Sequence, residues 1–155
     1  MYSRIFQLSK KPLVREDYIS EDMFYYGFVG TIADYVSSDV DRKYDIEWFK
    51  EFLEPYGAKV CEKAEQVYFP KGFKASYFKE RYEEFKELAE KTSFEVFAGL
   101  SNDTLSLYKL TSVIESKYGF YVVVHGYPES LDNFIRYMDD EDATYYIGAT
   151  IDYHY

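Results

Sequence analysis

Apolar and polar residues alternate along the last eleven residues of the chain, YYIGATIDYHY. Successive side chains of a strand point to opposite faces, so this alternation predicts a half-buried strand over residues 144–154. The side chains expected to share its apolar face are Tyr145, Ile147, Ala149, Ile151, Tyr153 and Tyr155. Gly148 interrupts the series and indicates a bulge or a close approach by another backbone. We therefore expect the C-terminal segment to be tied into a sheet.

Three other segments have the composition of strands. Residues 2–8, YSRIFQL, are rich in β-forming side chains and end before Pro12, which disfavours further pairing. Residues 118–125, YGFYVVVH, are apolar at both parities, which is typical of a strand covered on both faces near the middle of a sheet. Within the ambiguous segment 58–69, the letters VYF precede a Pro-Lys-Gly turn and predict a short strand.

Apolar residues recur at helical spacing in five segments of the chain. These are residues 20–37, 45–54, 74–91, 103–117 and 131–138. Four of the segments begin at or next to a side chain that can cap a helix, namely Ser20, Asp45, Asp103 and Ser130. Gly27 and Gly30 weaken the first segment, because glycine destabilises a helix interior by about 1 kcal/mol relative to alanine. We predict a helix in each segment.

The clearest helix is predicted over residues 74–91. Its apolar stripe consists of Phe78, Tyr82, Phe85 and Ala89. Glu and Lys residues fill the opposite face, which is typical of an amphipathic helix with one side exposed to solvent. We expect the apolar side to pack against the C-terminal strand.

The order of these elements predicts an α+β fold. We expect a mostly antiparallel sheet that includes residues 2–8, 118–125 and 144–154, with helices on at least one face. A chain of 155 residues falls within the size of one domain, and no repeat, linker or low-complexity tract divides it. We therefore predict a single compact domain over residues 1–155.

The composition excludes disorder and disfavours a membrane span. Hydrophobic residues make up 47% of the chain and aromatic residues 21%, whereas disordered chains are poor in both. No apolar run approaches the roughly 20 residues of a membrane helix, and the N-terminal residues lack the apolar core of a signal peptide. Cys61 is the only cysteine, which excludes an internal disulfide and fits a reducing compartment. We therefore expect a cytoplasmic protein.

The net charge of −10 is unevenly distributed along the chain. Residues 1–57 hold 11 acids and 7 bases, residues 58–117 hold 10 of each, and residues 118–155 hold 7 acids against Arg136 alone. Such a negative field disfavours direct contact with nucleic acid or an anionic membrane, because Lys and Arg supply most of the affinity for phosphate. The electrostatic complement is a basic protein surface, which we expect to be the partner.

The usual catalytic motifs are missing from the chain. It has no P-loop, dinucleotide-binding, zinc-protease, thioredoxin-like, nucleophile-elbow or kinase signature. His125 and His154 are the only histidines that could act as general bases, and each closes a predicted strand, where a structural role is favoured. A nucleophilic pair of Cys61 with His125 is an alternative, since such residues meet in space rather than in sequence. No catalytic residue is assigned, and a non-enzymatic function is favoured.

Two acidic segments raise the question of metal binding. Asp39, Asp41 and Asp45 are spaced like the start of a calcium loop, but the required residues are missing at three later positions. The four consecutive acids at 139–142 have the character of a solvated loop. We predict neither a metal site nor a cofactor.

Tyrosine is enriched, with 19 in the chain, and it favours interfaces because it offers a large contact area and a hydroxyl at low entropic cost. Our first hypothesis is an interaction or inhibitory module that docks an acidic, tyrosine-rich face on a basic protein surface. The candidate partner-binding residues are Glu129, Asp132, Asp139, Asp140, Glu141, Asp142, Tyr145, Tyr146 and Asp152. If that surface normally holds nucleic acid, the carboxylates would take phosphate positions and the module would act as a mimic.

The second hypothesis is a small-molecule-binding protein or an enzyme with a pocket between the sheet and the helices. Scattered residues such as Asp34, His125 and Tyr127 would line this pocket. The two hypotheses differ in their response to salt, because screening weakens docking between charged surfaces far more than it weakens binding in a pocket.

Overall fold

The sheet has seven strands in a computed structural model that describes all 155 residues. The strands are β1 (Tyr2–Ser9), β2 (Tyr35–Ser37), β3 (Lys59–Cys61), β4 (Gln66–Phe69), β5 (Tyr121–Val123), β6 (Pro128–Ser130) and β7 (Ala143–His154). Their order is β3-β4-β7-β1-β5-β6, and β2 also pairs with β7. β1 and β5 are parallel, whereas every other neighbouring pair is antiparallel. The predicted α+β fold with a mostly antiparallel sheet is confirmed.

Five helices accompany the sheet. They are α1 (Arg42–Leu53), α2 (Phe73–Lys91), α3 (Phe94–Phe97), α4 (Leu105–Ile114) and α5 (Leu131–Tyr137). The predicted segments that correspond to α1, α2, α4 and α5 are residues 45–54, 74–91, 103–117 and 131–138. The cap predicted for α5 is also in place, since the Ser130 hydroxyl oxygen accepts a hydrogen bond of 3.1 Å from the Asn133 amide. No helix combines the length and the apolar character that crossing a bilayer requires.

The cap predicted for α1 is wrong. Asp41 caps the helix by accepting a hydrogen bond of 3.1 Å from the Tyr44 amide. Asp45 instead lies inside the first turns of α1 and is completely buried. The Arg4 guanidinium of β1 donates to its carboxylate at 2.5 Å, and the Thr150 hydroxyl of β7 donates at 2.8 Å. Because a buried carboxylate needs such partners, Asp45 joins α1 to the sheet.

Residues 20–37 do not form the predicted helix. A short 3-10 turn is followed by Gly27 and Gly30, whose φ angles of 109° and 91° lie in the left-handed region that a right-handed helix excludes. The segment then ends in β2. Phe24 and Phe28 are nevertheless buried. The helical spacing of the apolar residues therefore reflects the packing of an irregular loop onto the sheet and not a helix.

Residues 58–69 form a hairpin rather than a single strand. β3 pairs with β4, with Val60 opposite Val67. The chain turns near Glu65, the only residue other than glycine with a positive φ, at 50°. The strand predicted from the letters VYF lies within β4.

The bulge predicted at Gly148 is confirmed. The pairing register between β1 and β7 shifts between Phe6 and Leu8, where β7 holds one residue more than β1. A β-carbon at Gly148 would lie only 2.5 Å from the side-chain oxygen of Gln7. That oxygen is fixed because it accepts a hydrogen bond of 3.1 Å from the Ala149 amide. The bulge therefore requires glycine.

This bulge makes the predicted apolar face of β7 wrong. An extra residue reverses the face to which the following side chains point. Tyr145 and Ile147 therefore lie in a core on one side of the sheet, whereas Ile151 and Tyr153 lie in a core on the other side. A single strand thus supplies apolar side chains to both faces.

Both faces of the sheet are covered. The larger core has 18 buried residues from the sheet and from α1, α2 and α5, and in it the rings of Phe6 and Phe49 stack at 4.1 Å. The smaller core has nine buried residues and lies under the loop between β1 and β2. There the Phe28 ring meets Tyr121 at 4.9 Å and Tyr153 at 5.4 Å, edge to face. β5 is buried at all three positions, as predicted for a strand covered on both faces.

We expect Gly148→Ala to destabilise the fold by roughly 1–3 kcal/mol, the usual range for overpacking a filled site. The new β-carbon would meet Gln7 and also Leu13 Cδ1, which is 2.7 Å away. Urea unfolding should show a lower midpoint at an unchanged slope. Gly119→Ala is the matched control. It should lower the free energy of unfolding by less, since the nearest neighbour of its new β-carbon would be the Ser116 hydroxyl at 3.2 Å. Unaltered stability of the first variant would contradict the tight contact at the bulge.

Candidate functional site

A groove of about 610 Å³ opens beside the loop that leads into β7. Its walls are the exit of β1, the turn between β5 and β6, and the loop after α5. Because β1 and β5 are parallel, their carboxyl ends reach this same edge of the sheet. Five of the predicted partner-binding residues line the groove, namely Glu129, Asp139, Glu141, Asp142 and Tyr145. We call this site the acidic groove.

Half of the acidic loop stabilises the neighbouring turn between β4 and α2. The Asp142 carboxylate accepts hydrogen bonds from the Lys71 amide at 2.9 Å and from the Tyr68 hydroxyl at 2.8 Å. Asp140 accepts one from the Gly72 amide at 2.9 Å. These two amides lie in the turn directly before α2. Asp140 and Asp142 therefore stabilise the turn between β4 and α2.

The hydrogen bonds to Asp142 change the acidity of both partners. They lower the pKa of the Asp142 carboxyl, and the Lys71 amide has the larger effect. The same contact raises the pKa of the Tyr68 phenol, because an ionised phenol would face the carboxylate. Asp142 is thus held in its ionised form by its structural contacts.

Asp139 and Glu141 have no comparable role. Both are exposed and line the acidic groove. Neither takes part in the ion pairs within the chain. Their carboxylates are therefore available to Lys or Arg side chains of another molecule, with which charge-assisted hydrogen bonds form readily.

Tyrosine rings form the rim and part of the floor of the groove. Tyr127 is 58% exposed and Tyr137 is 78% exposed, so both rings stand in solvent. Tyr145 is buried in the floor, where its ring meets Phe134 at 5.4 Å. Burial raises the pKa of Tyr145, and the charge of Asp139 adds to this effect. The groove therefore has an apolar floor between exposed rings and carboxylates.

The opposite wall is mixed in charge. Burial raises the pKa of the Glu129 carboxyl, and His125 acts in the opposite direction. His125 is exposed after β5 and does not close a buried strand as predicted. Lys10 and Lys11 line the β1 end of the groove, and Lys10 Nζ lies 5.8 Å from the centre of the Tyr145 ring. Four carboxylates face two lysines, so negative charge predominates.

Two predicted binding acids are paired inside the molecule. Asp132 is 4% exposed, accepts a hydrogen bond of 2.7 Å from the Tyr77 hydroxyl and lies 2.7 Å from an Arg81 nitrogen. Asp152 receives the Arg4 guanidinium at 2.6 Å, near the far end of β7. Neither carboxylate lines the groove.

Sequence reasoning missed Tyr137, Lys10 and Lys11 as groove residues. Tyr137 has a sequence signal, because it falls outside the apolar stripe of α5 and must be exposed when that stripe is buried. The lysines have none, since the exit of β1 reaches the acidic loop only in the folded chain. Tyr146, a predicted binding residue, is half-buried in β7 between β1 and β4.

The residues named for the pocket hypothesis do not all come together. His125 and Tyr127 line the groove, whereas Asp34 lies 3.4 Å from His154, at the other end of β7. At about 3.3 Å per residue, this strand separates the two places by roughly 35 Å. Cys61 lies on β3, four strand spacings or roughly 19 Å from β5 along the sheet. The structure therefore does not assemble a pair of Cys61 with His125.

A second cavity, of about 250 Å³, lies between the sheet and helices α1 and α2. Trp48, Phe52 and Phe120 form its aromatic walls, and the ion pair of Arg81 with Asp132 reaches it. Its volume is below the range of roughly 300–1,000 Å³ that is usual for small-molecule sites. The larger acidic groove is therefore the better candidate.

Known proteins do not decide between these sites. Comparison with family models, with curated proteins and with solved structures finds no match. His, Cys, Asp and Glu side chains nowhere gather in the sets of three that could hold a metal ion. The functional argument therefore rests on the geometry of the acidic groove.

We expect acid to destabilise the wild type more than Asp142→Asn. A carboxyl whose folded pKa is lowered contributes stability that is present above its unfolded value, 3.8, and is lost as the pH falls through the folded value. The wild type should therefore lose stability as the pH falls below about 4, with a shallower loss in the variant. Urea unfolding at a series of pH values measures the difference.

Glu141→Gln is the matched control for this measurement. It removes a neighbouring carboxylate that makes no hydrogen bond within the chain, so its pH dependence should follow the wild type. The same pH dependence in Asp142→Asn and the wild type would show that the contacts of Asp142 do not stabilise the turn.

Proposed function

We propose that this chain is a non-enzymatic interaction module that docks its acidic groove onto a basic surface of another protein. One observation carries the proposal: the exposed rings of Tyr127 and Tyr137 border the same groove as the unpaired carboxylates of Asp139 and Glu141. Carboxylate beside exposed tyrosine is a combination suited to Lys and Arg, which offer both a charge and an apolar stem.

In this mechanism, charge affects the association rate and aromatic contact affects the dissociation rate. The negative field of the chain speeds the encounter with a basic surface, because electrostatic steering acts mainly on the association rate. Tyr127 and Tyr137 then lose their solvent exposure, and burial of aromatic rings slows dissociation. The buried floor at Tyr145 and Phe134 offers an apolar base for a side-chain stem.

The two lysines of the groove orient the partner. Lys10 and Lys11 lie at the β1 end, and Asp139 and Glu141 belong to the loop after α5. Like charges placed opposite each other disfavour the wrong partner or the wrong orientation. A cationic surface would therefore be held at the loop side of the groove and excluded from the β1 side.

The narrower form of the proposal is inhibition by mimicry of nucleic acid. Carboxylates next to exposed aromatic rings resemble the phosphates and bases of a nucleic acid, because both combine negative charge with a flat surface for stacking. A basic protein surface that normally holds nucleic acid would then bind this module instead. Competition of the module with nucleic acid for the captured partner distinguishes this form from simple docking.

A second candidate function is the binding of a small aromatic molecule in the 250 Å³ cavity. The observation that favours it is the aromatic wall of Trp48, Phe52 and Phe120, beside which Asp132 already neutralises the Arg81 guanidinium. Salt separates the two candidates, since a ligand held mainly by ring contacts responds weakly to ionic strength.

We expect the double charge reversal Asp139→Lys with Glu141→Lys to weaken partner binding by about 10-fold or more, and high salt to do the same to the wild type. Proteins captured from lysate at low ionic strength are identified, and the affinity of the main partner is then titrated by biolayer interferometry. The expected partner is basic and dissociates faster from Tyr127→Ser and Tyr137→Ser.

Matched controls separate the groove from the general charge of the chain. Glu84→Lys with Glu87→Lys makes the same change in net charge on the exposed face of α2, and Tyr26→Ser removes a ring that is 93% exposed elsewhere. Both should bind like the wild type. Capture of no basic protein at low salt, or equal loss in the charge reversals on α2, would contradict docking through the groove.

A further inference from the structure

None of residues 78–119, which we call the helical arm, is buried. It contains most of α2 together with α3 and α4. Tyr77 and Phe120, the residues that flank it, are both buried in the core. At the base of the arm Phe78 packs against the larger core and Tyr118 stacks on Tyr155, but the core of the chain buries no residue of the arm.

α3, α4 and the turn between them expose a group of apolar side chains. Six large hydrophobic side chains on α3, α4 and the turn between them are between 47% and 73% exposed. They are Phe94, Phe97, Leu100, Leu105, Tyr108 and Ile114. Single exposed hydrophobic residues are ordinary, but a group of this size on one hairpin is typical of an interaction surface.

The three helices of the arm cover only part of one another's surface. α4 packs against α2 and α3. Phe85 and Leu88 of α2 and Leu107 and Leu110 of α4 are half-buried, as expected for an apolar stripe with one neighbour. The stripe predicted along α2 is accordingly incomplete in its packing, and Tyr82 remains 59% exposed.

The exposed area fits one side of a protein interface. At about 200 Å² for each fully exposed side chain, the six residues expose roughly 800 Å². A stable interface of standard size buries about 800 Å² on each partner. A second copy of the arm would therefore supply the matching half without any other protein.

The low charge of α3, α4 and the turn between them also favours a second copy. Residues 92–114 carry only Glu95, Asp103 and Lys109, a net charge of −1, whereas the whole chain carries −10. Two copies repel each other over most of their surfaces but not here. We propose that two copies associate about a twofold axis through the apolar surfaces that α3, α4 and the turn between them expose on each arm.

Sedimentation velocity of the full chain tests this proposal. The wild type should sediment with twice the mass of 18.4 kDa over a concentration series. The triple variant Phe94→Ser, Phe97→Ser and Leu100→Ser should raise the dissociation constant of the dimer by roughly 100-fold or more, because buried aromatic anchors dominate interfaces. Leu105→Ser with Tyr108→Ser should have the same effect from α4.

Two further measurements keep the result specific to the arm. Val14→Ser with Tyr26→Ser removes exposed side chains of similar kind outside the arm and should leave the dimer intact. Circular dichroism should show that every variant keeps the fold, as expected for changes at exposed positions. Amide hydrogen exchange of residues 94–114 should speed up when the wild type is diluted, because dissociation uncovers the arm.

A monomeric wild type at all concentrations would overturn the proposal, whether or not the arm then bound another protein or lipid vesicles. A dimer that survives in both arm variants, or one whose dilution changes hydrogen exchange only outside the arm, would also overturn it. The groove variants Asp139→Lys and Glu141→Lys should not affect the dimer, so this test is independent of partner binding.

Discussion

The rest of the structure depends on β7 having hydrogen-bond partners along both of its edges. β1 covers one edge, while β4 pairs with the first residues of the other edge and β2 with the last. In the gap between these short strands, the Arg42 guanidinium donates to the carbonyl oxygens of Ile147 and Gly148 at 2.7 and 2.9 Å. Buried backbone carbonyls must find partners, so a side chain at the start of α1 completes the edge that no strand reaches.

The bulge at Gly148 gives this strand its second property. Because β7 changes faces there, its first half packs with the helices and its second half packs under the loop between β1 and β2. One continuous strand thereby contributes side chains to the cores on both faces of the sheet. The same arrangement places Tyr145 in the floor of the acidic groove, next to the loop that enters β7.

Internal pairing decides which acids remain available to other molecules. Arg4 holds Asp45 and Asp152, and Arg81 holds Asp132, so these carboxylates serve packing. The acidic loop has no arginine partner and keeps unpaired charge at the groove. The outer part of the helical arm differs again, since residues 92–114 carry only three charged side chains and expose large apolar ones. The molecule thus exposes two surfaces of different chemistry, one acidic and aromatic and the other apolar with few charges.

Local patterns determined most of the elements: the alternation at 144–154, the β-forming run at 2–8 and the stripe at 74–91 all correspond to observed strands and helices. They failed at residues 20–37, where helical spacing belongs to a buried loop. The acidic loop could be predicted from the sequence. Which of its carboxylates bond the neighbouring turn and which remain unpaired could not. The spacing of apolar residues indicates which side chains are buried, but not which distant segments they contact. The reversal at Gly148, the pairing of acids with distant arginines and the assembly of the groove depend on contacts between remote segments, which only the tertiary structure decides.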